Sequence, residues 1–265
     1  MGARLRALLL TATVAVPAAC GGCSSAPDET TVTVPTDPVP PTSTSVAGVA
    51  AGVDPTATGT ADTAGTPGEG VTLVARSAGD LAVSPGPGAP PSQVLPATTE
   101  FGSPRVLLVI EELGDWLQVS LPERPNGSTG WVHRADVELH EVDERIEIDL
   151  VLRTLTLYDD GEVVLTTPIA VGAPTAPTPT GEFYVVDKLA TGDAADTYGP
   201  FAFGLSAHSD VLTEFAGGDG QVGIHGTNDP ASIGQAVSHG CIRVPNDVAT
   251  ALDARLHLGT PVTVE

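Results

Sequence analysis

From position 71 onward the chain is written in short apolar runs at strand spacing, separated by turn residues. The clearest run is Ile146, Ile148, Leu150 and Leu152 alternating with Glu147, Asp149 and Val151, the period of two that a half-buried strand requires. Leu155 and Leu157 continue it, and Asp159-Asp160-Gly161 predicts a hairpin that returns the chain through Val163 to Ile169. A proline-rich loop, Ala173 to Thr180, precedes another strand at Phe183 to Val186. Val222-Gly223-Ile224 reads as a buried strand that delivers His225 to its tip. Asn246 or Asp247 is placed to cap a short helix reaching about Leu256, with Gly259 as its stop. Pro261 to Val264 supplies a closing strand.

A second strand group lies upstream. Val71 to Ala75, Val106 to Glu111, Trp116 to Leu121 and Gly130 to His133 are short strand candidates. Gly79-Asp80, Gly114-Asp115 and Pro125-Asn126-Gly127 supply the turns between them. Trp116 and Trp131 are expected in the core, because buried tryptophans usually supply packing area. The predicted division is residues 71–142 and 143–265, both β-rich.

The first 70 residues have no such pattern. Residues 21–70 are rich in Ser, Thr, Pro, Gly and Ala and show no periodic apolar face, which predicts a disordered tether. Its span is on the order of 40 Å for a flexible coil of ~50 residues. Residues 1–20 read as an export signal: Arg4 and Arg6, an apolar stretch from Ala7 to Val16, then Pro17-Ala18-Ala19 before Cys20. That exit resembles the lipobox of bacterial lipoproteins, although Pro17 stands where Leu is usual. The expectation is a lipid on Cys20, holding the protein to the outer face of the cytoplasmic membrane in the cell envelope. The alternative is a secreted protein in which Cys20 and Cys23 pair or remain unused thiols.

Composition narrows the function classes. A net charge of −22 argues against nucleic acid, whose phosphates need clustered Lys and Arg. Hydrophobic residues make up 41% of the chain, enough for packed cores, while aromatics are only 4%. No phosphate loop or dinucleotide fingerprint occurs in the folded region, so no cofactor is implied. Cys20-Gly21-Gly22-Cys23 has metal-type spacing without a second pair, and no metal site is expected. Asp193, Asp196 and Asp210 follow no paired-acid spacing and are read as solvated surface.

The chemistry concentrates in Ser238-His239-Gly240-Cys241, with His225 upstream. A thiol ionises near 8.5, so a nucleophilic cysteine needs a base or a positive field. His225 and His239 are the candidates. Gly240 lets the backbone approach the sulfur, and the Gly240 and Cys241 N–H groups are natural oxyanion donors. On an extended segment His239 and Arg243 would share the side of Cys241. The competing readings are a small buried cysteine, or a zinc site, for which no fourth ligand stands at helpful spacing. The half-polar run Ile242 to Asn246 speaks against simple core.

Ile224-His225-Gly226-Thr227-Asn228, Ser238-His239-Gly240-Cys241-Ile242-Arg243 and Pro179-Thr180-Gly181-Glu182-Phe183 resemble the signature of YkuD-type L,D-transpeptidases over about Arg145 to Glu265. The resemblance implies a mainly β fold, a YkuD-type sandwich with one short helix after the cysteine motif. It implies Cys241 as nucleophile, His225 as base, and the Gly226 carbonyl as the group that orients the ring. His239 would shape the oxyanion region, shuttle a proton or serve a structural role. Substrate-side roles fall to Arg243, Tyr198, Ser238 and Asn246, with Ser238 bracing the loop rather than reacting. Arg243, standing where the family often has asparagine, would take a peptide carboxylate or brace the loop. The expected partners are peptidoglycan stem peptides and carbapenem-type β-lactams. The alternatives are an L,D-carboxypeptidase or exchange activity and a non-catalytic wall-binding lipoprotein. The upstream unit, through Gly114 to Val119, Gly130-Trp131-Val132 and Asp136-Val137, resembles bacterial Src-homology-3-like barrels.

Overall fold

The computed structural model describes residues 71–214 and 218–265. The expected signal segment, Cys20 and the tether lie outside the described residues. The fold is mainly β, with one short α-helix among the described residues.

The amino-terminal strands are β1 (Thr72–Ser77), β2 (Leu81–Val83), β3 (Gln93–Leu95), β4 (Val106–Leu113), β5 (Trp116–Ser120), β6 (Thr129–His133) and β7 (Val137–Val142). Five of them form an antiparallel sheet in the order β6-β5-β4-β1-β7, and β2 and β3 pair as a separate ribbon. Alternation sorts their faces. Leu117, Val119 and Val132 join Leu81, Val83 and Leu107 in the core. Trp116 and Trp131 are on the other face and only half-buried, so the expectation that they are core is not met. The reason is register: the residues that alternate with Leu117, Val119 and Val132 point away from the core. Trp116 instead meets His133 edge-on, with ring centroids 5.4 Å apart.

The remaining elements are β8 (Glu144–Asp149), β9 (Thr154–Asp159), β10 (Glu162–Pro168), β11 (Val171–Gly172), β12 (Gly181–Ala190), β13 (Phe201–His208), β14 (Gln221–His225), β15 (Ala236–Ser238), β16 (Ile242–Arg243), α1 (Asn246–Asp253) and β17 (Pro261–Val264). Eight strands form one mixed sheet in the order β10-β9-β8-β17-β12-β13-β14-β16, and β11 runs parallel to β15. The β9–β10 hairpin turns through Asp160 and Gly161, whose φ values of 49° and 77° suit the positive-φ turn that the sequence requires there. The alternation read through Leu152 stops earlier. Asp149 Oδ1 accepts from the N–H groups of Val151 and Leu152 at 2.8 and 2.7 Å, which closes a turn and leaves both side chains exposed. The helix also differs: Pro245 is its N-cap residue and no side chain caps it, because Asn246 is engaged elsewhere.

Strand β12 explains how the two groups of strands meet. Its first half pairs with β17 and its second half with β13. Phe183 and Val185 enter the core with Ile146, Leu155, Phe203 and Val262. Tyr184 and Val186 alternate with them and enter the other core, with Leu117 and Val119. A strand buried on both faces has a continuous apolar run rather than an alternating one, and Phe183-Tyr184-Val185-Val186 is such a run.

Candidate active site

His225 ends β14, where the strand is held on both edges. Ala202 of β13 is its antiparallel partner and Arg243 of β16 its parallel one. The same register sets Ile224 beside Ile242, so Cys241 sits one residue before the paired stretch, level with Gly223. Cys241 and His225 therefore emerge at adjacent strand ends and line one cavity of about 280 Å³, together with Tyr198 and Phe203.

The histidine ring is fixed from two sides. Its Nδ1 lies 2.5 Å from the Gly226 carbonyl, which can only accept, so the Nδ1 proton is donated there. In the neutral ring that leaves the lone pair on Nε2. The Tyr198 ring packs against it edge-on, with centroids 4.8 Å apart. Burial lowers the His225 pKa to about 4; the Gly226 carbonyl opposes this, and the Arg243 guanidinium adds to it. Burial likewise pushes the Cys241 thiol up, against the Gly223 backbone N–H and Arg243, which favour the thiolate. The resting pair is thus a neutral thiol beside a neutral imidazole.

The loop before the cysteine is braced internally. Ser238 Oγ donates to the Cys241 carbonyl at 2.5 Å and accepts from the Gly240 N–H at 3.2 Å. The Gly240 N–H is therefore occupied in this structure, while among the described residues that of Cys241 has no backbone acceptor. Gly240 takes φ 121°, a region that L side chains rarely adopt. The chain bends there, so the unbroken alternation that would set His239 on the side of Cys241 does not run through it. His239 is exposed and is not among the residues lining the cavity.

Thr178, which sequence reasoning passed over, is the far brace. Buried in the proline-rich loop, it donates to the Gly240 carbonyl at 2.8 Å and accepts from the Gly172 N–H at 2.9 Å. Its only signal in the sequence is its place at the head of Thr178-Pro179-Thr180-Gly181.

The substrate-side candidates divide. Tyr198 is at the cavity. Arg243 turns its guanidinium towards Asp229, at 4.0 Å, and lies outside the lining. Asn246 clamps the loops around the histidine: its Oδ1 accepts from the Thr227 N–H at 2.7 Å and its Nδ2 donates to the Ala194 carbonyl at 3.1 Å. A Cβ at Gly226 would fall 2.4 Å from that Oδ1, so glycine is required at this close approach. Asp193 and Asp196 are exposed, but their carboxylates close turns in the loop that carries Tyr198: Asp193 accepts from Ala195 N–H and Asp196 from Tyr198 N–H, both at 2.8 Å.

Scaffold and site together define a class: a mainly β domain that presents a half-buried thiol and a tautomer-locked histidine at neighbouring strand ends. Residues 143–264 match the family model of YkuD, the L,D-transpeptidase catalytic domain. The Bacillus subtilis protein named as the L,D-transpeptidase YkuD is 41% identical over 120 residues, which cover 45% of this chain and 64% of that protein. Its Bacillus licheniformis namesake is 40% identical over 121 residues, again 45% of this chain and 64% of that protein. The chain thus spans a little under two thirds of these curated relatives. Among solved structures, the catalytic domain of an L,D-transpeptidase from E. faecium acylated by ertapenem is 33% identical, covering 48% of this chain and 99% of that one, with a TM-score of 0.33.

Proposed function

We propose that the protein is an exported L,D-transpeptidase of peptidoglycan, held to the membrane through a lipid on Cys20. The observation that carries the reaction is the shared cavity of Cys241 and His225, with the His225 lone pair set on Nε2. Cys241 Sγ attacks the carbonyl of the third stem residue while Nε2 takes the thiol proton, so charge forms only as the bond forms. The Cys241 N–H is available to the oxyanion. The bond to D-alanine breaks, the proton passes to the departing amine, and a thioester remains on Cys241. A side-chain amine of a neighbouring stem then opens the thioester, loses its proton to His225, and restores the thiol with a new amide cross-link.

Arg243 acts from outside the cavity in this reading. Its charge favours the thiolate and disfavours the imidazolium, and its position near Asp229 keeps it beside the reacting pair.

Intact-protein mass spectrometry with a stem tetrapeptide and with ertapenem tests the proposal. The wild type is expected to gain one adduct of each kind and Cys241→Ala neither. A wild-type protein that stays at its own mass after long incubation with both sinks it.

A further inference from the structure

Part of the cavity wall is built by the amino-terminal part of the chain. Glu100 and Phe101 line the same cavity as Cys241 and His225. They sit at the tip of a tight turn between β3 and β4 that is hydrogen-bonded across its base. Thr99 N–H donates to the Ser103 carbonyl at 2.9 Å and Ser103 N–H to Thr99 Oγ1 at 3.1 Å. Arg105 reinforces it, donating from its side chain to the Pro96 and Thr98 carbonyls at 3.2 and 3.1 Å. The turn is also pinned to the catalytic sheet, because Thr99 Oγ1 donates to Oδ1 of the buried Asp187 in β12 at 2.5 Å.

The chemistry of that wall is one-sided. The lining holds two carboxylates, Glu100 and Asp219, and no lysine or arginine. Asp219 is committed: its Oδ2 meets His208 Nε2 at 2.9 Å and its Oδ1 accepts from the Gln221 N–H at 3.2 Å. Arg105 spends its guanidinium on the backbone of its own turn. No hydrogen bond or ion pair within the described residues occupies the Glu100 carboxylate. Beside it Phe101 leaves 52% of its surface open, a large apolar group at the mouth of the cavity.

We propose that Glu100 and Phe101 are specificity-determining residues that select a cationic, amine-bearing peptide side chain, Glu100 pairing with the ammonium and Phe101 covering its aliphatic stem. The proposal rests on the reading of the cavity as a stem-peptide site and names the recognition device within it. A carboxylate with an adjacent apolar surface fits an alkyl ammonium group and disfavours the same chain once its amine is acylated. The enzyme would then separate stems whose side-chain amine is free from stems already substituted there.

The test is isothermal titration of the full-length Cys241→Ala protein with two stem tetrapeptides that differ only in whether the side-chain amine of the third residue is free or acetylated. The free-amine peptide is expected to bind about five-fold more tightly, the scale of one partly exposed ion pair. Adding Glu100→Gln should bring the two affinities together, and adding Phe101→Ala should weaken both. Retained preference in Glu100→Gln, absence of preference in the Cys241→Ala parent, or failure of both peptides to bind overturns the proposal. The reaction is judged separately by adduct formation on the wild type. A protein that forms no thioester but shows a Glu100-dependent amine preference loses the reaction and keeps the wall.

Discussion

The phenol of Tyr184 in β12 donates a hydrogen bond to the Ser120 carbonyl in β5 at 3.0 Å, from a side chain that is fully buried. One strand of the eight-stranded sheet therefore supplies the floor of the amino-terminal core, with Val186 beside Tyr184. Removing the first 142 residues would leave Tyr184 and Val186 facing water as an apolar patch on the middle of a sheet. A fragment of residues 143–265 is expected to aggregate or lose acylation, and light scattering with mass spectrometry of the same sample checks this. A soluble, fully reactive fragment would show that the shared core is dispensable.

The same contact predicts a graded pair of variants. Tyr184→Phe keeps the packing and loses one hydrogen bond, leaving the Ser120 carbonyl to be satisfied otherwise, at a cost of about 1 kcal/mol. Tyr184→Ala opens a cavity and should cost about 3–5 kcal/mol. Because a side chain from a strand of one group packs in the core of the other, unfolding in denaturant should remain a single transition in each variant. Two separated transitions would mean that the groups unfold independently.

The neutral state of His225 sets the pH response. An unfolded histidine takes its proton near 6.5, whereas burial delays protonation of the folded one until about 4. Between those values the unfolded chain binds more protons, so stability is whole above pH 6.5 and falls as pH drops towards 4. The single-site loss is about 3 kcal/mol at its end. Acylation should likewise hold from pH 7 to about 5 and fail near 4, where Nε2 no longer has a lone pair. An acid limb centred at 6.5 would show that the ring is far better solvated than its burial implies. His225→Ala should slow acylation about 10²-fold or more.

The brace behind Cys241 is testable through Thr178. Thr178→Val keeps the shape but removes the donor to the Gly240 carbonyl and the acceptor for the Gly172 N–H, leaving two buried backbone groups unsatisfied. The expected outcome is about 2–4 kcal/mol of lost stability, at about 1–2 kcal/mol per orphaned group, with slower acylation at unchanged thiol content. Thr178→Ser, which retains the hydroxyl, should restore most of both. A larger loss in Thr178→Ser than in Thr178→Val would instead locate the importance of Thr178 in its methyl group.

What could be read from the sequence follows the range of the interactions. The Asp160-Gly161 hairpin, the strand ending at His225 and the grouping of Ser238, Gly240 and Cys241 rest on neighbours in the chain, and turn and strand chemistry identify them locally. The continuous apolar run at Phe183 to Val186 showed that a strand was there, but not that its second face would be covered by β5. The end of β8 at Asp149 was hidden because an aspartate that closes a turn and one that faces solvent look alike in an alternating pattern. Glu100 and Phe101 could not be found from the sequence: they line the cavity of Cys241 from about 140 positions away, through packing that no local periodicity encodes.

Asn246 offers the sharpest test of how the histidine is positioned. Its side chain ties Thr227, two residues after His225, to Ala194 in the loop that carries Tyr198. Both edges of the imidazole environment, the Gly226 carbonyl and the Tyr198 ring, depend on those two segments staying together. Asn246→Ala removes both bonds and leaves space beside Gly226 and Gly199, where the amide oxygen now sits. Acylation should fall about tenfold, while the helix it begins, which it does not cap, persists. Asn246→Asp separates the two bonds, since a carboxylate still accepts from the Thr227 N–H but cannot donate to the Ala194 carbonyl. It also sets a negative charge near His225, which raises the pKa of the imidazole and moves the acid limb of the rate profile upward from about 4. A structural role alone would leave that limb where it is. A profile for Asn246→Asp that matches the wild type in shape and differs only in height would therefore place Asn246 in the scaffold and not beside the base.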